Sequence, residues 1–324
     1  MLKIHHKITL GTTTFESGKN SRLLKLDVRA SLAVPVNASR VVLDVDSKAS
    51  AKPGDAVKVE IGYDGKLEKV FSGKVSTFEQ GLHQIAVEAL GTFSKLTAAR
   101  LNLLYEKQAA GDIASDVLGR LKLQKDKVET GLKFATYVMD DGCTAWEHLH
   151  ALAGRCGFDF YANPDDKAVF KKYAAQTTHA FEYGAQILSF SFDSLQQMID
   201  GVEIYGESPA GQGQGEDASA WFTKKPVKGT AGKSSGNVLR LADATSRNQN
   251  LAGQIATNLM KAYATPARGR MRVLGAPAAR LGDAVKTSKM PNASQNGQFK
   301  ITALRHRLDA RTGFVTEIDW EKAT

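Results

Sequence analysis

An apolar run long enough to cross a membrane is missing from these 324 residues; none approaches the ~20 that a spanning helix needs. The opening stretch, MLKIHHKITLGTTTFE, alternates and is polar, so it does not read as a secretory leader. Cysteine is nearly absent too. Cys143 and Cys156 are the only two, and a helix between them would hold them roughly 20 Å apart. A disulfide needs Cα atoms within about 7 Å. That excludes a disulfide scaffold and fits assembly in a reducing cytoplasm.

Signatures of chemistry are equally sparse. No stretch resembles a nucleophile elbow. GTAGKSS (229–235) resembles a phosphate loop, but the first glycine would fall at Val227, and Pro226 interrupts any strand before it. A flexible loop is expected there. Asp140-Asp141 and Asp165-Asp166 sit at a helix approach and in a turn, and no spacing argues for acid/base work. The expectation is a protein that is not an enzyme and uses no cofactor.

One segment gathers sulfur and imidazole: CTAWEHLHALAGRC, residues 143–156. Thr144 and Glu147 fit a capping box, predicting a helix from Ala145 to about Cys156, and Gly157 suits its left-handed end. At about 100° per residue, His148 and His150 point to nearly opposite sides. They cannot share a metal on one helix. Cys156 belongs instead with Trp146, Leu149, Leu152 and Ala153 on an apolar stripe. No metal site is expected.

What is present is mostly strand. Leu24, Leu26, Val28 and Ala30 alternate in LLKLDVRASL (23–32), as do Val41, Leu43 and Val45 in RVVLDVDS (40–47). AVKVEIGY, KVFSGKVSTF and HQIAVEAL follow, separated by KPGD, YDGK and EQGL. Such punctuation indicates an antiparallel sheet or barrel. After Gly91 the period changes: Ile113, Val117 and Leu121 recur at helical spacing, and residues 157–173 read as two strands around Asn-Pro-Asp-Asp. From about Ala185 strands return in ILSFSFDS and MIDGVEIYGES.

Residues 207–236 are rich in Gly, Ser and Lys and read as a long loop that lies at a partner surface or orders only on assembly, with Trp221 and Phe222 as its anchors. A helix is predicted over 246–264, capped by Ser246 and Gln249, with Leu251, Ile255, Leu259 and Tyr263 on one face. The chain finishes in strands.

A repeat organises these elements. Gly54-Asp55-Ala56-Val57-Lys58 recurs as Gly282-Asp283-Ala284-Val285-Lys286, 228 residues later. At the same offset Phe71 aligns with Phe299, each starting an alternating strand, and each copy closes through a polar turn on a further strand. Two related β-units are expected. Three chains carrying two such units would present six, letting a threefold object meet a sixfold one. The predicted class is α+β and mainly β: a first β-domain over 1–91, a mixed α/β segment over 92–184 and a second β-domain over 185–324, each β-domain an antiparallel sheet or barrel.

Net charge is +9. Its densest feature is ARGRMRV (267–273) with RHR at 305–307. Alternation places Arg268, Arg270 and Arg272 on one face; Arg305 and Arg307 add to the positive charge. A solvated strand face is one reading; contact with an acidic partner surface, or with a polyanion passing nearby, is the other.

The order of elements resembles a known family. The helix-hairpin segment TAWEHLHALAGRCGFDFYAN and the run from GRMRVLGAP to GFVTEIDWE are similar to those of phage baseplate hub proteins, the late control protein D group. That group takes in T-even and Mu-like tail hubs and the N-terminal part of type VI secretion spike proteins. Gly275, Pro277, Gly282, Asp283, Val285, His306, Gly313, Phe314 and Thr316 fill the positions of its C-terminal pattern. The resemblance implies two tail-tube-like barrels, which fits the repeat. It also implies a homotrimer forming a pseudo-sixfold ring between a hexameric tail tube and a trimeric spike, beside other baseplate proteins. Nucleic acid would meet it only in transit through a lumen. Such a protein is made in the bacterial cytoplasm and resides in a tail or contractile injection particle. The chain ends just past the second β-unit, without a spike repeat or a lysozyme-like insertion, so a separate spike protein is expected. The competing readings are a nucleic-acid-binding module and a tail-tip cell-wall hydrolase.

Overall fold

Alternating strands with one apolar face must bury that face, and here they do so in one continuous sheet. The computed structural model describes residues 3–206 and 227–322. The first ninety residues form β1 (Ile4–Leu10), β2 (Thr13–Glu16), β3 (Leu23–Ser31), β4 (Ala38–Asp44), β5 (Ala56–Tyr63), β6 (Lys66–Gln80) and β7 (Gln84–Leu90). The middle holds α1 (Ser94–Ala98), β8 (Leu103–Ala109), α2 (Ala110–Arg120), β9 (Lys125–Val128), β10 (Lys133–Met139), α3 (Ala145–Cys156), β11 (Phe158–Ala162) and β12 (Ala168–Lys172). Then come β13 (Thr178–Glu182), β14 (Ile187–Phe190), β15 (Asp193–Ser194), β16 (Gly201–Gly206), β17 (Lys228–Gly232) and β18 (Val238–Asp243). The chain ends with α4 (Gln249–Tyr263), β19 (Ala267–Leu274), β20 (Ala284–Ser288), β21 (Gly297–Asp309) and β22 (Gly313–Glu321). Among the described residues no helix is long and apolar enough to cross a membrane.

Fourteen strands share the main sheet, ordered β14-β19-β22-β21-β3-β4-β7-β6-β5-β1-β2, with β13, β15 and β20 attached beside that path. The expected closure into two barrels is not seen: among the described residues no sheet closes on itself. The two β-units are instead fused where β21 pairs antiparallel with β3, from Ala303↔Ser31 to Asp309↔Lys25.

The repeat is visible on either side of that seam. One half runs β4-β7-β6-β5-β1 and the other β19-β22-β21-β20-β13. Both copies of the pentapeptide build the same turn. Gly54 (φ 95°) and Gly282 (φ 77°) take the left-handed conformation that glycine accepts without strain. The Asp55 carboxylate accepts the Lys52 N–H at 2.8 Å, and the Asp283 carboxylate accepts the Arg280 N–H at 3.2 Å. Val75 N–H then bonds to the Asp55 carbonyl, and Ile301 N–H to the Asp283 carbonyl, both at 2.9 Å. Immediately after Val75 and after Ile301 the pairing with the next strand slips by one residue. The outermost pairing differs: β1 meets β5 antiparallel, whereas β13 meets β20 parallel.

The structural match departs from the sequence alignment by two residues. Val285 lies opposite Phe299, but Val57 lies opposite Gly73, not Phe71. Because strand side chains repeat every two residues, the slip preserves the buried face. Val57 and Val285 are both buried.

Three cores result. One lies inside the first unit, around Ile8, Val59, Phe71 and Val87. One lies inside the second, around Met271, Val285, Ile318 and Trp320. The third joins α2, α3, β11 and β12 to β16 and α4. The helix expected within the second unit therefore packs its Leu251, Ala252, Ile255 and Ala256 face into the middle core.

Local readings survive or fail for local reasons. Helix α3 carries the predicted capping box at Thr144 and Glu147 and ends at Gly157 in the left-handed conformation. Helix α4 is capped by Asn248, whose side chain accepts from Leu251 N–H, so the Ser246–Gln249 cap is incorrect; Ser246 is fully buried before the helix starts. Tyr263, at its end, is exposed. Leu24 is exposed because a bulge between Leu23 and Lys25 takes it off the buried face, and Val45 falls in a 3-10 turn. Of the predicted loop 207–236, residues 228–232 are strand β17, and residues 207–226, including Trp221 and Phe222, lie outside the described residues. Gly229 in β17 is required because a helix crosses it closely: a Cβ there would overlap the backbone of Ala252 and Gly253 in α4.

Candidate functional site

Alternation in β19 turns Met271 and Val273 inward and leaves Arg268, Arg270 and Arg272 on the opposite face. In β21, Leu304 and His306 point inward, and Arg305 and Arg307 point outward. The register joins these two strands through β22, with Arg272 and Arg305 both opposite Glu317 and Arg270 opposite Asp319. All five candidate arginines thus lie on the outer face of one sheet.

They do not form a bare basic patch. Arg270 grips Asp319 through two bonds, at 2.5 and 3.2 Å. Arg305 Nη2 lies 2.5 Å from Asp27 Oδ2, and its Nε reaches the same carboxylate at 3.0 and 3.1 Å. Arg29 joins Asp27 at 2.8 Å. Arg305 and Arg307 reach Glu317 at 3.6 and 3.3 Å. Farther along the same face Arg40 pairs with Glu88 at 2.8 Å. Arg268 and Arg272 form no ion pair among the described residues.

Asp27 is the centre of this ladder and is buried beneath its partners. Burial alone would push its carboxyl up, but the hydrogen bonds from Arg305 and Arg29 hold it below the usual carboxylate range. Sequence reasoning missed Asp27, Glu317 and Asp319. The outward positions of LLKLDVRAS and GFVTEIDWE carried the signal, since Asp27 and Arg29, like Glu317 and Asp319, alternate with apolar residues.

The repeat residues occupy a different place. Gly54, Asp55, Gly282 and Asp283 form turns at strand entries. Asp283 also bonds His179 Nε2 at 2.9 Å.

The sulfur and imidazole of α3 are each engaged separately. His150 stacks on Trp146 with ring centroids 4.5 Å apart, and His148 Nε2 donates to the Asp140 carbonyl at 2.9 Å. Cys156 is buried, its thiol pushed up to about 11 by that burial, while Cys143 is exposed. The carboxylate pairs have turn roles. Asp140 accepts from Gly142 N–H at 2.8 Å, Asp165 pairs with Lys69, and Asp166 accepts from Thr92 N–H at 3.0 Å.

The fold as a whole is similar to that of solved phage-tail proteins. A 43 kDa tail protein of prophage MuSo2 from Shewanella oneidensis matches with a TM-score of 0.71 at 13% identity, over 99% of this chain and 98% of its own. A tail protein from Neisseria meningitidis MC58 also gives 0.71 at 13% identity, over 98% and 96%. The E. coli c3393 protein, described as a type VI secretion component similar to the T4 tail proteins gp27 and gp5, gives 0.60 at 11% identity, over 100% and 77%. The resemblance to baseplate hubs read from the sequence is therefore present in the fold. The family model described as the Alg8 N-terminal domain matches residues 36–310, and the chain belongs to that family. No curated protein matches the chain.

Proposed function

We propose that this chain is a structural baseplate protein of a contractile tail or injection device: a homotrimeric hub that connects a hexameric tail tube to a trimeric spike. The observation that carries this reading is the duplication within one sheet, with the same Gly-Asp turn, strand order and bulge on either side of the β3–β21 seam. Two like units per chain give six like units in a threefold ring, which is what a tube-to-spike adaptor needs. The tail-protein fold supports the same reading.

The charged outer face fits a contact or lumen role better than tight nucleic-acid binding. Polyanion affinity comes from uncompensated cations that release counterions, and here Arg270, Arg305 and Arg307 are already matched by Asp319, Asp27 and Glu317. The test is the native mass of the purified protein followed by negative-stain imaging. A species of three times 35.0 kDa with a central hole, alone or after adding the neighbouring spike protein, is expected. A chain that stays monomeric with both spike and tube protein present would overturn the proposal.

A further inference from the structure

A cavity of about 390 Å³ lies between the first unit, the β11–β12 hairpin and the 278–283 loop. Its charged lining is paired almost throughout. Glu68 meets Arg280 at 3.1 Å, Asp165 meets Lys69, and Asp283 meets His179 at 2.9 Å, while Asp126 forms no ion pair among the described residues and accepts from the neutral Asn163 amide at 3.0 Å. Two cations in the same lining are left over. Lys171, on β12, is 8% exposed, and Lys127 stands beside it on the parallel neighbour β9. Neither forms an ion pair among the described residues. With its amide oriented to present oxygen, Gln176 accepts from Lys171 Nζ at 3.0 Å and from Lys127 Nζ at 2.7 Å.

Two ammonium groups sharing one neutral oxygen is an unbalanced arrangement. Like charges at this separation repel, and one of them is removed from most of its water. An amide oxygen supplies only a partial negative charge against both. An oxyanion would supply a full charge and enough lone pairs for charge-assisted bonds to each lysine. Space is available, since a water takes about 30 Å³ of liquid volume.

We propose that Lys127 and Lys171, with Gln176 beside them, form a binding site for a small oxyanion, a phosphate or carboxylate group. This goes beyond the hub reading and does not depend on it.

The test uses the full chain. Thermal unfolding and calorimetric titration are run with inorganic phosphate and, separately, with succinate, against chloride at matched ionic strength. Saturable binding of either anion supports the site, and the tighter of the two identifies the ligand class. Lys127→Gln changes an exposed side chain and should fold normally, yet weaken binding by about tenfold or more. Gln176→Glu supplies the missing carboxylate from within, so it should raise the melting temperature without added anion and abolish the response to phosphate. No saturable binding by the unaltered protein, or full binding retained in both variants, would overturn the proposal.

Discussion

Asp283, in the turn that enters β20, bonds His179 on the parallel neighbour β13, Oδ2 to Nε2 at 2.9 Å, where Asp55, the counterpart of Asp283 in the first unit, serves only its turn among the described contacts. The same carboxylate therefore has two tasks in one unit and one in the other.

Removing it should cost different amounts at the two sites. Asp55→Ala loses a side-chain bond to a backbone N–H, worth about 1 kcal/mol. Asp283→Ala loses a similar bond and also strands a half-buried histidine, so about 2–4 kcal/mol is expected. Urea midpoints of both variants check this. Equal losses would mean that the His179 contact contributes nothing.

Acid should weaken the fold through His306. Its ring is buried among β21 and β22, bonded to Thr316 Oγ1 at 3.0 Å, and burial, reinforced by the nearby Arg280 charge, lowers its pKa to about 3. Unfolded, the imidazole protonates near 6.5. Between those values the unfolded chain holds more protons, so stability falls as pH drops from about 6.5 toward 3, by at most ~1.4 kcal/mol per pH unit from this residue. His6, lowered to about 4 by burial and by His5, acts in the same direction. His306→Gln should flatten the stability profile over that range. Denaturation midpoints at pH 7, 6 and 5 that keep the original slope would contradict the assignment.

Two glycines at one helix–strand crossing should respond with opposite signs. Gly229→Ala places a methyl against the α4 backbone and should destabilise by about 1–3 kcal/mol. Gly253→Ala, on α4 itself, meets nothing within 4 Å and should stabilise by about 0.5–1 kcal/mol. Thermal unfolding of the pair reads the difference directly.

What was legible in the sequence depended on range. The α3 cap was readable because Thr144 and Glu147 lie three residues apart. The duplication was readable from its turn, but its second strand was misaligned by two residues, since a period of two looks the same after that shift. β17 reads as a loop in the sequence because Gly229 answers to α4 and Gly232 to the Asp200–Gly201 backbone, both elements from elsewhere in the chain. The outward arginines followed from alternation, yet their partners did not. Arg305 finds Asp27 across 278 residues, and no local pattern encodes that. The closed barrels were inferred by family resemblance, and strand pairing shows one open sheet instead.

The β3–β21 seam sets a timetable for the growing chain. β3 is made early, and the strand that covers its edge is among the last three to be synthesised. At roughly 5–20 residues per second, that edge waits on the order of fifteen seconds to a minute during translation. An uncovered edge is a template for wrong pairing. Premature termination before Gly297 would leave the first unit without Phe314, which packs into its core, and permanently open along β3, so truncated products should aggregate rather than persist as small soluble domains.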